Sequence, residues 1–86
     1  MKLHGKVVLV TGGSRGIGKA ISKLFVEEGA QVIITSKNIT KLKQTAKEIN
    51  CSFFIDADIK NEKDVNNSIK KIIEKFGRID ILVNNA

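Results

Sequence analysis

Apolar residues fall along this chain in two alternating rhythms. Four short apolar runs, at residues 6–10, 31–35, 52–55 and 79–83, are rich in valine, isoleucine and phenylalanine and are bounded by glycine or polar residues. Their length and composition predict strands, and the near-continuous apolar character of the first and last suits parallel strands covered on both faces. Between the runs the spacing changes to three and four. Ile17, Ala20, Ile21, Leu24 and Phe25 mark a helix over residues 17–28, Ile39, Leu42, Ala46 and Ile49 a second, and Val65, Ile69, Ile72, Ile73 and Phe76 a third. Gly29-Ala30 closes the first helix, Asn38 or Ser36 caps the second, and Asn61 and Gly77 are the start and stop of the third. The pattern predicts a single α/β unit. Right-handed crossovers give its parallel sheet the order 3-2-1-4, with strand one central and strand four a bare apolar edge of the kind that invites pairing with another chain.

Strand one breaks into Thr11-Gly12-Gly13-Ser14-Arg15-Gly16-Ile17-Gly18 before the first helix opens. Glycine lets a turn's backbone N–H groups approach a ligand closely, and the helix behind adds unpaired N–H groups and the positive end of its dipole. This predicts phosphates of a nucleotide over residues 12–18. The spacing differs from the general G-x-G-x-x-G fingerprint, so the flanking strand and helix, a βαβ unit, supply the context that the glycines alone lack. At the end of strand two, where an acid would hydrogen-bond the ribose 2′-hydroxyl of NAD, the residues are Thr35-Ser36-Lys37. Ser36 can hydrogen-bond a 2′-phosphate, Lys37 can pair with it, and Arg15 supplies a second cation. The expected cofactor is NADP(H), with NAD(H) as the alternative.

Composition narrows the class. The chain has 86 residues, 42% hydrophobic and 28% charged, enough for one core. No apolar run approaches the roughly 20 residues that span a bilayer, and residues 1–5 lack the apolar block of a signal peptide, so a cytoplasmic protein without a membrane partner is expected. Cys51, the single cysteine, reads as a small buried thiol. The net charge of +6 admits nucleic acid, but the lysines are spread over helical polar faces with acids interspersed, which reads as a solvated surface. His4 reads as a surface residue. Asp56, Asp58 and Asp64 lack a recognised ligand spacing, so no metal site is expected.

Three motifs, Thr11 to Gly18, Asp58-Ile59 and Asn84-Asn85-Ala86, stand in the order and at the separations of the short-chain dehydrogenase/reductase family, which the whole chain resembles. The resemblance implies a Rossmann-type doubly wound parallel sheet, of which residues 1–86 form the N-terminal, NAD(P)-binding part, truncated after the fourth strand with the catalytic C-terminal part absent. It implies cofactor contacts from Thr11, Gly12, Ser14, Arg15, Gly16, Ile17 and Gly18. Ser36, Lys37 and Arg15 match the basic pattern of NADP-preferring members. Asp58, read as ending strand three, is implied to accept from the adenine amino group while the backbone of Ile59 pairs with the ring; the alternative is that Asp58 only caps the following turn. Asn85 and Ala86 are implied to lie against the cofactor's ribose.

The implied activity is NADP(H)-dependent interconversion of an alcohol and a carbonyl on a small-molecule substrate, for example 3-oxoacyl-[acyl-carrier-protein] reductase-like, in a homo-oligomer when complete. The family's proton donor is a tyrosine with a lysine four residues on. The chain has no tyrosine, so no catalytic residue is assigned and the chain by itself is expected to bind cofactor without turnover. A non-catalytic nucleotide-binding module is the alternative. A third reading, nucleic-acid binding through the positive charge, would show steep salt dependence.

Overall fold

A computed structural model describes residues 3–14 and 16–85; Arg15 and Ala86, both expected at the cofactor, lie outside the described residues. The elements follow in strict alternation: β1 (Val7–Thr11), α1 (Gly16–Glu27), β2 (Gln31–Ser36), α2 (Ile39–Glu48), β3 (Phe53–Asp56), α3 (Glu62–Phe76) and β4 (Ile81–Asn84). The four strands form one sheet in the order β3-β2-β1-β4. All three pairings are parallel, with Leu9 opposite Ile33 and Leu82, and Ile34 opposite Phe54. The expected order 3-2-1-4 is thus the observed one.

Because side chains alternate across a strand, β1 feeds two cores. Val8 and Val10 join Val32, Ile34, Leu42, Ala46, Ile49 and Cys51 on the face covered by α1 and α2. Val7 and Leu9 join Ile33 and Ile72 on the α3 face, flanked by Phe53, Ile55, Phe76 and Ile79. The rings of Phe53 and Phe76 meet edge to face at 4.8 Å, and the Lys75 ammonium stands 5.0 Å from the Phe53 ring centre. Each fully buried aliphatic side chain contributes about 1.5–3 kcal/mol, so these two layers are the main source of stability.

The helix ends are set by side chains. Asn38, not Ser36, caps α2, its Oδ1 accepting from Lys41 N–H at 3.0 Å. Asn61 caps α3 by accepting from Lys63 and Asp64 N–H, and Gly77 ends it in the left-handed region. Among the described residues no helix is long and apolar enough to cross a membrane. Cys51 is buried, its Sγ directed at the Val32 and Phe53 carbonyls, and burial pushes the thiol pKa up, as suits a packed rather than reactive cysteine.

Two helices bury only part of the face their apolar spacing suggests. In α1 the buried residues are Gly18 and Ser22, while Ile17 is 71% and Leu24 57% exposed. Small residues occupy the inner face because α1 starts directly against the end of β1, where a Cβ on Gly18 would strike the Gly12 carbonyl. In α3 only Ser68 and Ile72 are buried; Ile69 and Ile73 on its flank, and Leu82 on β4, remain exposed. The bare apolar edge expected at strand four is present at Leu82, 59% exposed.

The start of β4 also differs from its apolar run, because Asp80 interrupts it. Its N–H donates to the Val7 carbonyl and its carboxylate accepts from Val7 N–H, both at 2.8 Å, so a side chain supplies one rung of the ladder. Arg78 holds the same carboxylate from outside at 2.9 Å and also donates to the Gly5 carbonyl. The Val7 N–H, and then the Arg78 guanidinium, hold the Asp80 carboxyl below its usual range. A carboxyl with a lowered folded-state pKa contributes stability above the ordinary unfolded value of about 4, and the contribution fades as pH falls through the lowered one. Asp80→Asn should therefore lower the melting temperature at pH 7 and flatten the acid side of the stability profile. Thermal unfolding between neutral pH and pH 2 measures both, and parallel profiles would contradict the assignment.

Candidate functional site

The carboxyl ends of β1, β2 and β3 all reach the same edge of the sheet, because the strands are parallel. There they open on a cavity of about 360 Å³. From the β1 end Gly12 and Ser14 line it, from the β2 end Ser36 and Lys37, from beyond β3 Ala57, Asp58, Ile59 and Lys60, and from beyond β4 Asn85.

The floor is the glycine turn. Gly12 is left-handed at φ +65°, and a Cβ there would strike the Asn85 carbonyl. Thr11 does not line the cavity. Its hydroxyl lies 3.3 Å from the Val83 carbonyl and 3.2 Å from Asn84 Oδ1, and accepts from Asn85 N–H at 3.1 Å, while Asn85 Nδ2 donates to the Gly12 carbonyl. The turn is thus tied from beneath to the segment that follows β4. Gly16 is left-handed at φ +59° with nothing within 4 Å of where a Cβ would stand, so the start of α1 faces open space. Ile17 stands exposed beside it. The first N–H groups of a helix have no partner within it, so this end of α1 presents donors to an anion.

Hydrogen bonds knit the three strand ends together. Gly13 N–H donates to the Thr35 carbonyl at 3.2 Å, and Ala57 N–H to the Ser36 carbonyl at 3.0 Å. Ser14 Oγ and Ser36 Oγ are hydrogen-bonded at 3.2 Å, and Ser36 Oγ accepts from Asn38 N–H at 3.2 Å. Asp58 stands two residues past β3 rather than at its end. Its Oδ1 caps the following turn by accepting from Lys60 N–H at 2.9 Å, and its own N–H donates to Asp64 Oδ2. The capping alternative for Asp58 is therefore present, on a residue that also lines the cavity.

Among the described residues Asp58 is the one acid in the lining, against two lysines, Lys37 and Lys60. The lining favours an anionic ligand. Of the residues expected at a cofactor, the structure brings Gly12, Ser14, Ser36, Lys37, Asp58, Ile59 and Asn85 to one cavity; Gly18 packs beneath it. Sequence reasoning missed Lys60 and Ala57. Lys60 looks like one more solvated lysine, and only its place two residues after Asp58 could have marked it. Thr45 was missed as well: it is buried in α2 and donates to the Ser14 carbonyl at 2.6 Å. His4 is exposed before β1, and among the described residues no cluster of three or more His, Cys, Asp or Glu could hold a metal ion.

Comparison with known proteins gives the site a family. A sequence profile described as short chain dehydrogenase matches residues 6–86. The chain is 45% identical over 82 residues to L-fucose dehydrogenase of Bos taurus, covering 95% of this chain and 30% of that protein. Among solved structures it is similar to a metagenomic short-chain oxidoreductase in complex with NADP, at TM-score 0.94 and 33% identity, covering 100% of this chain and 41% of that one. It is also similar to 3-ketoacyl-(acyl-carrier-protein) reductase of Brucella melitensis complexed with NADH, at TM-score 0.89 and 39% identity, covering 96% and 34%. The chain spans about a third of the length of the curated relatives it matches.

The packing of Gly18 against the Gly12 carbonyl and the Asn85 side chain yields a prediction. Gly18→Ala forces α1 away from the turn, and overpacking of this kind costs about 1–3 kcal/mol. Urea unfolding should show a lower midpoint at unchanged slope, and an unaltered midpoint would mean that the turn has room to spare.

Proposed function

The chain belongs to the short-chain dehydrogenase family, and on that premise we propose that it holds NADP(H) for an oxidoreductase that interconverts an alcohol and a carbonyl. The observation that carries the choice of cofactor is the end of β2. Ser36 and Lys37 line the cavity there, Lys60 stands on the same lining, and the position where a carboxylate would bind a ribose 2′-hydroxyl and repel a 2′-phosphate holds no acid. The donor set fits such a group: hydroxyls, ammoniums and the open N-terminus of α1 are what a phosphorylated dinucleotide requires.

In this reading Gly12, Ser14, Gly16, Ile17 and Gly18 surround the pyrophosphate side, with Thr11 tying the turn to the segment after β4. Ser36, Lys37 and Arg15 take the 2′-phosphate, Asp58 and Ile59 the adenine, and Asn85 and Ala86 the ribose. The cofactor, when bound, supplies or accepts the hydride; these residues bind it, orient it and screen its charge. The proton donor that carbonyl reduction needs is not among them, since the chain has no tyrosine, and we assign the chain cofactor binding without turnover of its own. The substrate class, a small alcohol or carbonyl such as a sugar or a 3-oxoacyl thioester, rests on the names of the relatives.

Dissociation constants for NADPH and NADH, from quenching of nicotinamide fluorescence, test the reading. NADPH should bind at least tenfold more tightly. A charged hydrogen bond to phosphate is worth about 1.5–3 kcal/mol, so Lys37→Ala should weaken NADPH about tenfold and leave NADH within about twofold. Equal affinities, or tighter NADH, would overturn the choice of NADP(H).

A further inference from the structure

Thr45 is a hydroxyl on an otherwise apolar surface. It is fully buried in α2 between Leu42 and Ala46, both of which pack into the core. A threonine inside a helix ordinarily turns its hydroxyl back to the carbonyl one turn earlier. Here Oγ1 donates instead to the Ser14 carbonyl, 31 residues away in sequence, at 2.6 Å. The helix therefore holds the glycine turn by one short buried bond.

What that bond controls follows from the next two. Ser14 Oγ and Ser36 Oγ lie 3.2 Å apart and share one hydrogen bond that either hydroxyl can donate, and Asn38 N–H donates to the Ser36 oxygen at 3.2 Å. The Asn38 donor is a backbone amide and cannot reverse. A serine oxygen has two lone pairs and one proton. When an acceptor in the cavity takes the Ser36 proton, Ser14 Oγ is the donor of the shared bond and both Ser36 lone pairs are filled. A group that only accepts, such as a phosphate ester, completes this arrangement.

We propose that Thr45 is a positioning residue for cofactor selection: by fixing the Ser14 backbone it holds the Ser36 hydroxyl where it donates to a phosphate, and so favours a phosphorylated over an unphosphorylated ribose. This rests on the NADP(H) reading and deepens it. Its effect is on the ratio of two affinities, which a contribution to folding alone would not move.

The test is titration of the chain and its variants with NADPH and NADH, beside thermal unfolding without ligand. Thr45→Val keeps the shape and removes the hydroxyl. It should weaken NADPH about fivefold to tenfold, as expected for one hydrogen bond, and NADH by less than about twofold. Thr45→Ser should restore the preference of the parent. In a Ser36→Ala background Thr45→Val should add no further loss of preference, since both lie on one hydrogen-bonded chain. Equal weakening of both cofactors, no change in either, or failure of Thr45→Ser to restore the preference overturns the proposal. Should Thr45→Val not fold, Ser14→Ala cuts the same chain one bond later and must lower the preference; an unchanged preference then overturns it. A parent chain that binds neither cofactor, or prefers NADH, defeats the NADP(H) reading itself, and the role of Thr45 with it.

Discussion

Everything at the cavity edge of the sheet depends on the close approach of three pieces of backbone: the end of β1 at Gly12, the first turn of α1 at Gly18, and the segment after β4 at Asn85. A Cβ on Gly12 would strike the Asn85 carbonyl, and one on Gly18 would strike the Gly12 carbonyl and crowd the Asn85 amide. Interiors are packed too densely to absorb an added atom without movement. The glycines thus do two jobs. They allow a turn that presents its backbone outward, and they let α1 sit so low on the sheet that its N-terminus stands over the end of β1. The same approach explains why α1 buries Gly18 and Ser22 and leaves Ile17 and Leu24 outside. Ser22 adapts to that close fit by donating to the Gly18 carbonyl, so its hydroxyl is satisfied within the helix.

Polar side chains do much of the long-range joining. Asp80, Thr11 and Thr45 each bond to backbone 31 to 74 residues away: Asp80 at the start of β1, Thr11 at the end of β4 and just beyond it, and Thr45 at the glycine turn. In each case the side chain meets a backbone group that would otherwise be left at a strand end or in a turn, where ladder and helix bonds run out. Burying such a group unpaired costs about 1–3 kcal/mol, so these contacts specify where the elements meet as much as they stabilise them.

How much of this was legible in the sequence depends on how local the cause is. Strands, helices, the caps at Asn61 and Gly77 and the sheet order follow from periodicity, turn chemistry and the handedness of crossovers, all of which act over a few residues or are general to α/β chains. The glycine turn and the pair Ser36-Lys37 could be read because spacing along a βαβ unit fixes which residues reach the sheet edge. Other features required the third dimension. Thr45 sits at a helical core position, and no property of its neighbours in sequence announces that its hydroxyl reaches Ser14. Lys60 is chemically identical to the other lysines of a basic chain. The apolar spacing of α1 pointed to Ile17 and Leu24 because hydrophobicity is a proxy for the buried face, and the proxy fails where the approach is too close for any large side chain.

The topology also explains why residues far apart in sequence meet at the cavity. In the order β3-β2-β1-β4, the ends of β1, β2 and β3 are neighbours, so Ser14, Ser36 and Asp58, each separated by 22 residues in sequence, stand side by side. Beyond the strands, the pairing continues as single bonds from loop to loop: Gly13 to Thr35, Ser14 to Ser36, Ala57 to Ser36. Ser36 is the member bonded from both sides, and it belongs to the middle strand of the three. A change at either neighbouring loop is therefore transmitted to it through one hydrogen bond, whereas Lys37 and Lys60, which act through charge on long side chains, tolerate small displacements. Lys37 and Lys60 give the cavity its positive character, and the Ser36 hydroxyl, held from its own loop and from β1's turn, is its fixed polar point.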